Sequence, residues 1–110
     1  MLKVLRIYMS AGARVKRSGV LQKLIAPQLS HYLLRAARES GIPQATLRPI
    51  SAGYLAGHKI SHAHTEISAP AHPVCLELVG EESVLRTFLS ASSAYLDGLR
   101  YVLFAPDEYR

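Results

Sequence analysis

The stretch Leu2-Lys3-Val4-Leu5-Arg6-Ile7-Tyr8-Met9 decides the fold. It is rich in β-branched and large apolar residues and has no glycine or proline, so it reads as a strand. Side chains alternate between the two faces of a strand. Leu5, Ile7 and Met9 therefore share one face, and Leu2, Val4 and Tyr8 share the other. Apolar groups on both faces call for cover on both, by a helix layer on one side and by something else on the other.

The segments that follow supply the helix layer. Residues 10–19 hold Gly12, Gly19 and a group of cations, and read as a loop; residues 20–26 read as a short helical turn that Pro27 interrupts or re-starts. From Pro27 the spacing of Leu29, Leu33, Leu34 and Ala37 is helical, and Gly41 is placed to end that helix in the left-handed conformation. Residues 45–52 form a second strand, in which Pro49 disfavours an interior hydrogen-bonded position. The stretch 53–73 is long, polar and punctuated by Gly and Pro, with partial alternation around Ile60. It is either a protruding loop or two strand ends joined by one, and loops of this length are usually functional or mobile. Residues 74–79 form a third strand. A turn at Gly80–Ser83 then leads into a helix with the stripe Val84, Leu85, Phe88, Leu89, Tyr95 and Leu96. Glu81 and Glu82 stand where the helix dipole favours negative charge. Residues 99–104 form the fourth strand and residues 105–110 a tail.

The order β-α-β-β-α-β over residues 1–110 predicts one α+β domain of ferredoxin-like type, a four-stranded antiparallel sheet with two helices on one face. Two helices cover only one side. The apolar residues left on the other side predict self-association through the open face of the sheet.

Composition bounds the function. The chain has 110 residues, 49% of them hydrophobic, which can fill the core of one domain and excludes an intrinsically disordered chain. Cys75 is the only cysteine, so neither an internal disulfide nor a four-cysteine zinc site can form. No apolar run approaches the roughly 18 residues of a membrane helix, and the opening MLKVLRIYMS lacks the pattern of a secretory signal. A cytoplasmic protein is expected. The net charge of +5 favours an anionic partner or simply a basic solvated surface.

The run Pro27-Gln28-Leu29, then Leu33-Leu34-Arg35-Ala36-Ala37-Arg38-Glu39-Ser40-Gly41-Ile42, Ala45-Thr46, Arg48, Ile50 and Gly53-Tyr54, resembles a small bacterial PII-like family, formerly a domain of unknown function and a sister of the PII nitrogen-signalling proteins. The opening strand and the run from Val74 to Leu89 are similar to it as well. That resemblance implies a homotrimer with inward-facing sheets and a T-loop at 53–73. It also implies clefts between subunits for small anionic ligands, often adenine nucleotides, and a target protein such as a membrane transporter or an enzyme. One segment departs from the pattern. PII proteins that hold ATP tightly wrap its phosphates with a Gly/Lys-rich loop after the third strand, whereas here that place is Val79-Gly80-Glu81-Glu82-Ser83. Carboxylates repel a triphosphate, which leaves a less charged nucleotide, a bicarbonate-like anion, or no nucleotide. Residues 13–23 look like extra length before the first main helix.

Two sets of residues could carry a ligand. Arg48 and Lys59 flank the base of the long loop, and Gly53 permits close backbone approach. Backbone N–H groups beside a cation are a common way to hold an anion; the alternative is that Gly53 and Gly57 shape a turn and the cations are solvated. The resemblance favours a ligand here, giving Arg48, Gly53, Tyr54, Gly57 and Lys59 as the expected binding set. The second set is histidine-rich: His58, His62, His64 and His72 lie close together, with Glu66 and Cys75 nearby. On an extended segment His62, His64 and Glu66 point to one side, and with His58 they could chelate a divalent Zn, Cu or Ni ion, though such clusters are often exposed and unliganded.

Other classes fit poorly. Ser61 and His62 are adjacent and would face opposite ways on a strand. Cys75 lies inside a predicted strand, and no paired carboxylates or Gly-rich phosphate motif occur, so no enzyme is expected. RNA-recognition modules of this fold stack bases on an aromatic-rich signature that is absent here, and the loop with Arg14, Lys16 and Arg17 is a weak signal, so a nucleic-acid partner is not expected. The mechanism expected is ligand-dependent ordering of residues 53–73, which then engage or release a target.

Overall fold

In the computed structural model, which describes residues 1–16, 26–63 and 70–108, the opening strand is β1 (Leu2–Ser10), central in a four-stranded sheet. It is followed by α1 (Leu29–Glu39), β2 (Gln44–Pro49) and two short strands, β3 (Ala52–Gly53) and β4 (Ser61–His62). Then come β5 (Pro73–Glu81), α2 (Glu82–Ala91), the single turn α3 (Ser93–Leu96) and β6 (Arg100–Phe104). The main sheet has the order β2-β5-β1-β6 with every neighbouring pair antiparallel. The fold is the ferredoxin-like α+β arrangement.

The register explains the core. Leu5 faces Leu78, Ile7 faces Leu76 and Met9 faces Val74. Leu5, Ile7, Met9, Leu76 and Leu78 are wholly buried beneath Leu33 and Ala37 of α1 and Leu85 and Phe88 of α2. Removing each large apolar side chain from water stabilises the fold by ~1.5–3 kcal/mol. The first helix stops where Gly41, at φ +80°, turns the chain. The amides of Gly41 and Ile42 then donate to the carbonyls of Arg38 and Ala37, which satisfies the open helix end.

Four boundaries differ from the sequence expectations. In place of the turn expected at Gly80–Ser83, β5 runs on to Glu81 and passes directly into α2 at Glu82. The expected strand 45–52 divides in two. Pro49 donates no ladder hydrogen bond, the chain turns at Ile50 and Ser51, and Ala52–Gly53 pair instead with Ser61–His62. The second form expected for the long stretch, strand ends joined by a loop, thus holds for residues 52–62. The stripe from Val84 to Leu96 lies on two helices rather than one, because the chain leaves helical geometry at Ser92; serines compete for backbone hydrogen bonds and tolerate such breaks. Finally, the segment after β1 is more than a cationic loop. Arg14 pairs with Gln28, the Arg14 guanidinium donates to the Ala26 carbonyl at 2.7 Å, and Val15 joins the core. The helical turn expected at residues 20–26 lies, except for Ala26, outside the described residues.

The face that the helices leave open is only partly apolar. Val4 and Val79 are buried at one end, with Phe104 beside them. Arg6, Glu77 and Thr46 cross its middle, and Arg100, Tyr8, Cys75 and Arg48 form the next row.

Candidate functional site

Tyr8 stands between two concavities at the β1 C-terminal end of that open face. The larger, about 490 Å³, is lined by Tyr8 and Ser10 of β1, Tyr54, Leu55 and His58 of the loop, and Leu99 and Arg100 at the start of β6. The smaller, about 360 Å³, is lined by Arg6, Tyr8, Arg48, Ser51 and Cys75. Alternation along β1 puts Tyr8 on the open side, and the register aligns it with Arg100 on β6 and Cys75 on β5. The loop wall is made by a turn at Gly57, φ +83°, after which the His58 amide donates to the Leu55 carbonyl at 2.9 Å.

The larger cavity joins two aromatic rings, two leucines, an imidazole and a guanidinium. Flat apolar walls suit a planar heterocycle, and a guanidinium suits phosphate or carboxylate. The two arginines that line the smaller cavity share one carboxylate oxygen: Glu77 Oε2 accepts from Arg6 Nε at 2.7 Å and from Arg48 Nη2 at 3.1 Å. Two cations against one anion leave this cluster with a net positive charge. The Arg6 guanidinium also lies 5.1 Å from the centre of the Phe104 ring. Burial pushes the Cys75 thiol up from its ordinary range, against the pull of Arg48 and Arg6. At neutral pH it is a protonated, buried side chain rather than a nucleophile.

The expected ligand set is divided between these places. Tyr54 lines the larger cavity and Gly57 forms its turn, while Arg48 lines the smaller cavity. Gly53 pairs with Ser61, close to Ile50 and Pro73, and Lys59 is exposed; neither lines either cavity. Of the expected metal ligands, His58 lines the larger cavity and His62 is exposed on β4, whereas His64 and Glu66 lie outside the described residues. Among the described residues no three His, Cys, Asp or Glu side chains form a group that could hold a metal ion. His72 stands apart from the exposed histidines. It is fully buried, with Nδ1 at 2.8 Å from Ser61 Oγ and Nε2 hydrogen-bonded to the Ile50 carbonyl. Ser61 thus meets His72 rather than its neighbour His62.

Tyr8, Leu99 and Arg100 escaped the sequence reading. Alternation along β1 does place Tyr8 on the open face, but the pairing of β6 beside it carries no local signal. As expected, the acidic pair stands at a helix start, Glu81 at the N-terminal cap of α2 and Glu82 in its first turn. Glu81 pairs with the Met1 amine at 2.7 Å, and Glu82 lies 3.3 Å from Lys3 and 2.7 Å from Arg86. Neither carboxylate lines a cavity described above. No helix among the described residues is long and apolar enough to cross a membrane.

Comparison with solved structures finds the same fold in distant proteins. The chain is 14% identical to CPII from Thiomonas intermedia K12, solved bound to ADP and bicarbonate, with a TM-score of 0.56 over 94% of this chain and 81% of that one. It is 15% identical to a protein of Thermus thermophilus described as PII-like in signalling, with a TM-score of 0.56 over 94% and 82% of the two chains. It is 9% identical to the divalent cation tolerance protein CutA1 of the same organism, with a TM-score of 0.59 over 100% and 88%. Among curated proteins none matches the sequence. One family model spans nearly the whole chain: residues 2–104 match DUF190, described as Uncharacterized ACR, COG1993, and the chain belongs to that family.

Proposed function

We propose that this chain is a cytoplasmic, non-enzymatic regulatory protein of PII-like type that binds an adenine nucleotide in the larger cavity. A small oxyanion is held beside it by the Arg6–Glu77–Arg48 cluster. Tyr8 and Tyr54 flank the base, and Arg100 meets the phosphate. The observation that carries this reading is the convergence of Tyr8, Tyr54, Leu55, Leu99 and Arg100 on one cavity at the foot of the long loop. CPII, solved with ADP and bicarbonate, supports the ligand class through its shared fold.

The assembly in this reading is a homotrimer whose open sheet faces meet. Val4, Val79 and Phe104 supply its apolar part, and a neighbouring copy closes the cavity mouth. Residues 53–73 change order with the ligand and thereby engage or release a target, a membrane transporter or an enzyme. A ligand that binds the ordered loop better shifts the population towards it.

Calorimetric titration with AMP, ADP and ATP, each with and without bicarbonate, tests the reading. Saturable binding of AMP or ADP at one site per chain is expected, and no binding of any nucleotide refutes it. The second reading, a metal-carrying role of the His58–His72 segment, would draw on His58 and His62 among the described residues, where no group of three possible ligands forms. Dialysis against Zn, Cu or Ni tests it, and protein that emerges without stoichiometric metal removes it.

A further inference from the structure

The one fully buried imidazole among the described residues lies at the root of the loop rather than in a cavity. His72 Nε2 contacts the Ile50 carbonyl, which can only accept, so Nε2 carries the proton. In the neutral ring Nδ1 is then an acceptor, and the Ser61 hydroxyl, 2.8 Å away, donates to it. Both ring nitrogens are used, with no solvent exposure.

Those two partners belong to opposite arms of the stem beneath the loop. Ile50 ends the arm that leaves β2, and Ser61 begins the returning arm as part of β4. The arms also meet through the β3–β4 pairing and through the Ala63 amide, which donates to the Ser51 carbonyl at 2.8 Å. The His72 carbonyl accepts from the Ala11 amide at 2.7 Å, just beyond β1, and the Pro73 carbonyl accepts from the Ile50 amide at 3.3 Å. One side chain therefore ties both arms to the point where β1 ends and β5 begins. Residues 54–60, which carry Tyr54, Leu55 and His58 into the larger cavity, are slung between the two arms.

We propose that His72 is a positioning residue that clamps this stem, so that the 54–58 wall of the cavity is held in its ligand-accepting place. The coupling to ligand rests on the nucleotide reading above. A two-strand pairing of only two residues is too short to stand alone, so the stem depends on the buried imidazole. Removing the ring leaves a partly buried carbonyl and a partly buried hydroxyl without this partner, which costs more than losing a fully exposed hydrogen bond. By linkage, a ligand that needs the closed wall must favour the closed clamp by the same factor.

The test uses the full chain with His72→Phe, His72→Gln and Ser61→Ala. Amide hydrogen exchange at Ala63 and His58 should accelerate by about tenfold or more in His72→Phe, less in Ser61→Ala, and least in His72→Gln, whose amide N–H can still reach the Ile50 carbonyl. Exchange at Leu5 and Leu76 in the sheet should stay unchanged. ADP affinity should fall about tenfold in His72→Phe, with recovery in His72→Gln. Folded His72→Phe with wild-type exchange at Ala63 overturns the clamp, and looser exchange with wild-type ADP affinity overturns the coupling. If His72→Phe does not fold, nitrogen NMR of the wild-type imidazole decides: an Nε2–H ring supports the clamp and an Nδ1–H ring overturns it. If the wild-type chain binds no nucleotide, the reading of the cavity fails, and exchange at Ala63 and His58 alone decides whether His72 holds the wall.

Discussion

Arg6 and Glu77 lie opposite one another on β1 and β5, joined Nε to Oε2 at 2.7 Å on the sheet face that the helices leave bare. Glu77 is the more enclosed partner, its side chain 17% exposed against 39% for Arg6. The same oxygen serves Arg48, whose side chain is 58% exposed. An acidic residue thus restrains two arginines in the middle of an otherwise half-apolar surface.

Glu77→Ala leaves both guanidiniums without their anion on that surface. We expect a loss of about 1–2 kcal/mol in urea unfolding. Arg48→Ala should cost under about 1 kcal/mol, because an exposed ion pair is screened by water. Equal costs would show that the shared geometry has no energetic weight.

Gly41→Ala forces a side chain into the left-handed region at φ +80°, where open space surrounds it and only the backbone objects. The expected destabilisation is about 1–2 kcal/mol, with ligand binding unchanged. A neutral result would mean that α1 ends without the turn seen here.

Acid should loosen the start of α2. Arg86 first, and Lys3 second, hold the Glu82 carboxyl below the usual carboxylate range. A group whose pKa is lower in the folded state contributes stability above its unfolded pKa and loses it as pH falls through the folded one. Wild-type stability should therefore drop below the ordinary carboxylate range by a small increment that Glu82→Gln lacks. Parallel pH curves for the two proteins would remove Glu82 from the account.

Around the larger cavity, Tyr54→Ala and Arg100→Ala should each weaken ADP binding about tenfold or more, through lost stacking area and a lost charge-assisted hydrogen bond. Lys59→Ala should leave it within about threefold, since the side chain lines neither cavity and an exposed charge contributes little. The opposite ranking would move the site to the exposed side of the loop. Calorimetry on the three variants separates these outcomes.

Elements with a local signal were legible in the chain. The two-faced β1 run, the Leu29/Leu33/Ala37 stripe and the Gly41 stop all act through spacing that any window of sequence displays. The split after Pro49 was half legible, since the proline announces a break but not the new partner, Ser61–His62. Of the residues around the two cavities, the sequence had singled out Tyr54, His58 and Arg48, with Gly57 at the turn beside them. Tyr8 and Arg100 are 92 positions apart and meet solely through β1–β6 pairing, and the pairing of Ser61 with His72 depends on a chain reversal that alternation does not encode. His72 lies close to the other histidines along the chain, but burial, which sequence spacing does not display, separates it from the exposed imidazoles of His58 and His62.

Photolabelling with an azido-ADP, followed by mass mapping of the modified peptides, tests most directly whether the cavity takes a nucleotide. The account predicts label on the peptides that hold Tyr8, Tyr54 or Arg100, displaced by excess ADP and reduced in Arg100→Ala. Displaceable label confined to α1 or α2, or no displaceable label at all, would contradict it.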